Sequence, residues 1–296
     1  MSSTMEQQPI IETKPMNLPT CLDGPVTLRT LRRWPKANTK WAMLTCYDAT
    51  TARWMAEAGL PTLLVGDTAA EMILGYDSTI HAPLDFLITI TAAVKRGAPN
   101  CFVMGDMPFL SYQVDEASAI QNAGRFLTEG TADAVKLEVD GKWVDRFAAI
   151  CNAGIAAVAH LGSRPQQAKQ TGGYITAGRN AEAAKQIVED AIVMEQAGAS
   201  MLLLEAVPEE VSKAVVAATS IPVIGCGAGT DCHGQVVVMQ DLAGLTKWQP
   251  SFAKPTASIG NEIASVAKTW MNNVNASTLG KHPYGMRDGE SEKFQA

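Results

Sequence analysis

A chain of 296 residues is longer than most single domains but close to the size of one α/β barrel, for which roughly 250 residues is typical. Hydrophobic residues make up 47% and charged residues 18%, with a mean hydropathy of +0.02, which supplies a large core and argues against extended disorder. The net charge of -6, a pI near 5.3 and the lack of any Lys/Arg run leave no electrostatic footprint for nucleic acid or an anionic membrane, so a small-molecule partner is expected.

Residues 1–23 mix charged, Pro and Ser/Thr positions without an apolar segment, and read as a flexible tail rather than a signal peptide. Short apolar runs then predict strands at 41–45, 62–65, 102–105, 134–137, 156–159, 201–204, 222–224 and 236–239. Amphipathic stretches at 49–58, 84–95, 116–128, 144–153, 181–197 and 209–218 predict helices between them. None of the apolar runs reaches the ~18 residues of a membrane span. No linker interrupts the alternation, so residues 24–296 are expected to form one domain ending in a helix over 261–274. Cys21, Cys46, Cys101, Cys151, Cys226 and Cys232 form no C-x-x-C pair, which favours packed thiols in a reducing cytoplasm.

The βα alternation suits a parallel sheet, either open and doubly wound or closed into a (β/α)8 TIM barrel. Polar residues discriminate between the two. Asp67, Asp106, His160 and Glu205 each sit where a different apolar run ends, and only a closed barrel brings all strand ends around one mouth. The Gly-rich stretch 161–180 is placed to close over that mouth.

Two strand-end carboxylates facing one cavity repel unless a cation or a shared proton relieves them, which points Asp67 and Asp106 toward a hard divalent metal. The competing use of each is to cap the helix after its strand. Lys136 and Glu138 are two residues apart in one strand and therefore share a face. Lys136 suits a substrate carboxylate or a Schiff base, and Glu138 a metal-bound water, while a rim ion pair between them is the plainer reading. Glu205 ends a very apolar run, where a partly desolvated carboxylate suits general acid–base work, or else serves as a helix N-terminal acid. His160 suits substrate orientation or proton relay, or a structural hydrogen bond. The run Gly225-Cys226-Gly227-Ala228-Gly229 is a weak anion-loop signal with no P-loop Lys after it. No G-x-S-x-G, H-E-x-x-H or paired C-x-x-C motif is present.

Several stretches occurring in order, Val65-Gly66-Asp67, Gly75-Tyr76-Asp77-Ser78-Thr79, Arg96-Gly97-Ala98-Pro99-Asn100, Asp106-Met107-Pro108-Phe109, Val135-Lys136-Leu137-Glu138, His160-Leu161-Gly162, Gly172-Gly173-Tyr174, Gly178-Arg179, Leu204-Glu205 and Ile221-Pro222-Val223-Ile224-Gly225, resemble the ketopantoate hydroxymethyltransferase family. The resemblance implies a barrel of the phosphoenolpyruvate/pyruvate-binding superfamily, cytoplasmic and usually decameric. It implies hydroxymethyl transfer from 5,10-methylenetetrahydrofolate to 3-methyl-2-oxobutanoate in pantothenate biosynthesis. By position it implies Mg²⁺ on Asp67, Asp106 and Glu138, oxoacid contacts from Asp67, Thr68, Asp106 and Lys136, and Glu205 as proton acceptor. Thr68 departs from the family's usual Ser, keeping the hydroxyl and adding a methyl. Other readings of the same residues are a metal-dependent carbon–carbon lyase or mutase on another small 2-oxoacid, or a barrel retained only for binding.

Overall fold

The structure is a computed structural model that describes residues 18–294, so residues 1–17 of the expected tail lie outside it. Two compact units divide the described chain at residue 239. The first holds eight parallel strands closed into a barrel in the order β1-β2-β3-β4-β5-β6-β7-β8. They are β1 (Trp41–Thr45), β2 (Thr62–Val65), β3 (Phe102–Asp106), β4 (Ala134–Glu138), β5 (Ala157–Gly162), β6 (Met201–Glu205), β7 (Val223–Cys226) and β8 (Gly234–Val237). Helix α1 (Leu28–Lys36) precedes β1, and α2 (Ala49–Glu57) follows it. A one-turn α3 (Ala69–Met72) leads from β2 into α4 (Leu84–Gly97), and α5 (Glu116–Thr128) and α6 (Val144–Asn152) follow β3 and β4. A second one-turn helix, α7 (Ala168–Thr171), separates β5 from α8 (Ala181–Gln196), and α9 (Glu209–Ala218) follows β6. Residues 227–233 join β7 to β8 without a helix, and α10 (Met239–Leu242) and α11 (Ile259–Asn275) come last.

Sequence chemistry explains where these helices start. Asp48 accepts from the Thr50 and Thr51 amides at 2.8 Å each, Asp115 from Ser118 at 2.7 Å and Asn180 from Ala183 at 2.8 Å. Each satisfies amide donors that the first helical turn leaves open. The expected closed barrel is therefore present, and β1 and β2 match the predicted bounds. Five strands, β3 to β7, run past the ends of their apolar runs: Asp106, Glu138, His160, Glu205 and Cys226 are strand residues, because their backbones continue the ladder. Strand β8 begins two residues before the expected 236–239, where Gly234 pairs with Trp41 and Ile224. Of the expected tail, residues 18–23 are not free of the barrel unit: Cys21 is buried and donates its amide to Gly59 O at 3.3 Å.

The ladder fixes which way the site residues face. A Cβ on Gly105 would fall 2.5 Å from Phe126 Cδ1 of α5, so position 105 faces the helices and only glycine lets α5 pack this closely. Asp106 therefore points into the barrel. Asp106 is in register with Lys136, Glu138 with His160, and Gly162 with Glu205, which puts Asp106, Lys136, Glu138, His160 and Glu205 on the interior face.

The second unit begins at Gln240, and its helix α11 corresponds to the expected helix over 261–274. Ile259, Ile263, Val266, Trp270 and Val274 recur at helical spacing along one face of α11, and all are exposed or half-exposed. Among the described residues no helix is long and apolar enough to cross a membrane.

Candidate active site

Five ionisable side chains fill the C-terminal mouth of the barrel between β3 and β6. Lys136 Nζ lies 2.8 Å from Asp106 Oδ1 and 3.2 Å from His160 Nδ1. On its other side His160 presents Nε2 at 3.3 Å from Glu205 Oε2, and His160 Nδ1 is 3.9 Å from Glu138 Oε1. An ammonium has donors only, so His160 Nδ1 accepts and the imidazole proton sits on Nε2, facing Glu205. Burial and the neighbouring Lys136 charge both hold the His160 pKa below its usual value, which keeps the ring neutral near pH 7. The result is one connected row, Asp106, Lys136, His160, Glu205, across four adjacent strands. Glu205 is its accessible end: its side chain is 23% exposed against 1% for His160.

The row carries more negative than positive charge. Asp67, Asp106 and Glu138 are all buried, with Lys136 as the buried cation among them. Burial pushes the Asp106 carboxyl up to about 7, with Asp67 adding to the rise and Lys136 opposing it. Burial and then Asp67 raise Glu138 well above the usual carboxylate range. Burial alone would lower Lys136, but Asp106, Asp67 and Glu138 outweigh it and leave the ammonium firmly protonated. Three oxygen-only donors whose ionised forms outnumber the one buried cation are the chemistry a hard divalent cation prefers. Their side chains do not yet converge, and among the described residues no three His, Cys, Asp or Glu groups are disposed to hold a metal. Lys136 instead stands against Asp106, and the Gln166 amide donates to Asp67 Oδ2 at 2.9 Å.

The helix-cap alternatives do not describe these residues. Asp115 caps α5, Thr68 precedes α3 without a side-chain cap, and Pro208 precedes α9, whose first-turn acids are Glu209 and Glu210. Thr68 Oγ1 instead meets Tyr47 OH at 2.5 Å. A sequence profile of the family described as ketopantoate hydroxymethyltransferase matches residues 25–282. The chain belongs to that family. It is 42% identical to the 3-methyl-2-oxobutanoate hydroxymethyltransferase of Rhodococcus jostii over 241 residues, 81% of this chain and 83% of the relative. It is 42% identical to the enzyme of that name from Mycobacterium tuberculosis over 255 residues, 85% and 90% of the two chains. Solved structures show the fold further afield. A 2,3-dimethylmalate lyase aligns with a TM-score of 0.57 at 16% identity, covering 90% of this chain and 96% of the other. A phosphonopyruvate hydrolase aligns with a TM-score of 0.59 at 10% identity, covering 90% and 91%.

In this ketopantoate hydroxymethyltransferase family member two site residues escaped sequence reasoning, Gln166 in the segment between β5 and α8 and Tyr112 between β3 and α5. Gln166 and Tyr112 are buried: Tyr112 OH lies 3.0 Å from Gln166 Oε1 and 2.9 Å from Glu138 O. Arg164 pairs with Asp140 at 2.5 Å, and the exposed Tyr174 donates its hydroxyl to Glu71 at 3.2 Å, tying the segment to the β4 and β2 loops. Gly162 starts the segment with φ +94°, and a Cβ there would lie 2.5 Å from Glu205 O. The glycine-rich run at 225–229 spans the end of β7 and the turn after it, and the turn ends at Thr230. The Thr230 amide and hydroxyl at its end bind Glu209 Oε1 at 3.0 and 2.9 Å.

Proposed function

We propose that the chain transfers a hydroxymethyl group to C3 of 3-methyl-2-oxobutanoate, giving 2-dehydropantoate, with 5,10-methylenetetrahydrofolate as one-carbon donor. The observation that carries this reading is the row from buried Lys136 through neutral His160 to accessible Glu205, set in the mouth of a barrel of this family. In it Lys136, Asp67, Thr68 and Asp106 bind the oxoacid, the ammonium taking its carboxylate. Glu205 removes the C3 proton. His160, with its proton on Nε2, faces Glu205 Oε2 and orients that carboxylate so that its other oxygen reaches the substrate. The contact at 3.3 Å is loosely aligned, as such contacts often are before substrate binds. The fixed positive charge of Lys136 stabilises the enolate that forms. The transfer consumes one water: hydrolysis of methylenetetrahydrofolate releases tetrahydrofolate and its one-carbon unit at the oxidation level of formaldehyde, and the enolate carbon adds to that carbonyl carbon, whose oxygen takes up a proton as the new hydroxyl.

Asp67, Asp106 and Glu138 would hold Mg²⁺, the cofactor we assign on the oxygen-only donor set and its surplus charge. Bound there, the ion would draw electron density from the 2-oxo group. The exposed apolar stripe on α11 supports a homo-oligomer, a decamer by family resemblance, and a cytoplasmic location fits the unbridged thiols of Cys21, Cys46, Cys101, Cys151 and Cys232.

Deuterium exchange at C3 of 3-methyl-2-oxobutanoate, followed by NMR with Mg²⁺ and after chelation, tests the reading. Exchange is expected with Mg²⁺ and without folate, and is lost on chelation. No metal-dependent exchange overturns it. Exchange without turnover of methylenetetrahydrofolate would favour a lyase or mutase acting on a 2-oxoacid.

A further inference from the structure

Gln166 lies in the 3-10 turn Pro165–Gln167, where the segment between β5 and α8 begins, and is buried. Its side-chain nitrogen meets Asp67 Oδ2 at 2.9 Å and Met107 O at 3.0 Å, both of which only accept. Its side-chain oxygen meets Tyr112 OH at 3.0 Å and Gln113 Nε2 at 3.5 Å, both able to donate. The amide can therefore sit only one way round, with its hydrogen-bonding capacity filled. Its backbone N–H faces the Glu138 carboxylate, 3.3 and 3.1 Å from the two oxygens.

One uncharged residue thus donates to the carboxylates of two different strand ends, 99 and 28 positions away in sequence. Both carboxylates are buried, and Gln166 bridges them with one donor to each. A dipole placed between two anions relieves their repulsion without adding charge, and it decides which Asp67 oxygen is left for other partners. We infer that Gln166 is a positioning residue for the oxoacid site. It acts through Asp67 and Glu138 and makes the seating of segment 163–180 and the orientation of both carboxylates a single event. The inference rests on the function proposed above.

The test compares Gln166→Leu, which keeps the volume and removes every side-chain hydrogen bond, with Gln166→Glu, which keeps an oxygen toward Tyr112 but turns a carboxylate on Asp67. Steady-state kinetics in Mg²⁺ and calorimetric titration with 3-methyl-2-oxobutanoate provide the readouts. Losing a hydrogen bond to a charged group should raise the oxoacid KM and Kd roughly ten- to a hundredfold. The KM for methylenetetrahydrofolate should stay within about threefold, and Gln166→Glu should bind oxoacid more weakly than Gln166→Leu. A purely structural role would lower Tm and the active fraction while leaving the oxoacid KM at the wild-type value, and that outcome overturns the inference. A fall in kcat with unchanged KM also overturns it. Should Gln166→Leu fail to fold, Gln166→Asn, which keeps both amide groups on a shorter stem, carries the same KM comparison. If wild type exchanges its C3 proton and the variants match it in KM, the Gln166 inference alone fails; if wild type shows no exchange, the functional reading fails first.

Discussion

Two Lys–Asp pairs bridge neighbouring parts of the same barrel, and they are built in opposite ways. At the N-terminal ends of β3 and β4, Lys95 Nζ meets Asp133 Oδ2 at 2.6 Å and Cys101 O at 2.8 Å, while the Val103 amide donates to the same Asp133 oxygen at 2.7 Å. Their side chains are 20% and 30% exposed, so water shares the solvation. At the C-terminal ends of the same strands, Lys136 and Asp106 are 5% and 2% exposed, and the contact lies among further carboxylates. Asp106 Oδ1 makes no well-aligned hydrogen bond despite standing 2.8 Å from the ammonium. The first pair closes its own polar account and staples β3 to β4. The second is left short of positive charge and of directed partners, the state expected where a ligand completes the set.

Mutations should separate the two ends, beginning with the largest effect. Glu205→Gln keeps the shape of the accessible end and removes the base, and should lower turnover on the order of 10²- to 10⁴-fold. Oxoacid affinity should change little, which calorimetry checks; a matching loss of affinity would make Glu205 a binding group instead. Lys136→Met leaves Asp106 buried with its cation gone, a change that costs about 3–5 kcal/mol in buried pairs and that should also abolish oxoacid binding. Denaturant unfolding and ligand titration on one preparation measure both. Lys95→Met at the other end should cost about 1–3 kcal/mol and leave kcat per folded molecule unchanged. If its turnover falls, the contrast between the ends is lost. Asp48→Ala sharpens the comparison from within the mouth: this carboxylate also follows a strand, yet it caps α2, so its loss should cost only about 1 kcal/mol in thermal or denaturant unfolding and spare activity.

Asp48 and Asp67 also mark what the sequence can and cannot separate. Both are acids shortly after an apolar run, and only the three-dimensional partners, two helix amides for one and the Gln166 side chain for the other, distinguish cap from site residue. Period and apolarity were enough for parallel strands alternating with helices, because strands covered on both faces must be continuously hydrophobic, and the polar residues ending different runs were what pointed to a closed barrel. The same rule misplaced the strand ends. A hydrophobic run stops at the first charge, whereas the backbone ladder continues through Asp106, Glu138, His160 and Glu205. The interior face shared by Lys136 and Glu138 was legible from their spacing of two. Gln166 and Tyr112 were not, since a neutral amide and a buried ring in irregular segments have no periodic signature, and their roles depend on contacts 54 and 99 positions away. Helix α1 was missed for a related reason: Arg29, Arg32, Arg33 and Lys36 give it a polar surface, and Leu31 is its one buried residue.

Gly162 separates two kinds of constraint. Up to this residue, the ladder between β5 and β6 dictates position, and the Ser163 amide still donates to Glu205 O at 2.8 Å. Beyond it, placement rests on separate ties, Arg164 to Asp140, Tyr174 to Glu71 and the Ala177 amide to Ala206 O at 3.0 Å, that can be exchanged one at a time. Sequence change past residue 167 can therefore retune how reactants enter and leave without disturbing the spacing of His160 and Glu205. A single methyl at 162 would press on Glu205 O and strain the φ of +94° together, coupling entrance and base in one lesion. Natural variation in this lineage should accordingly be nearly absent at Gly162.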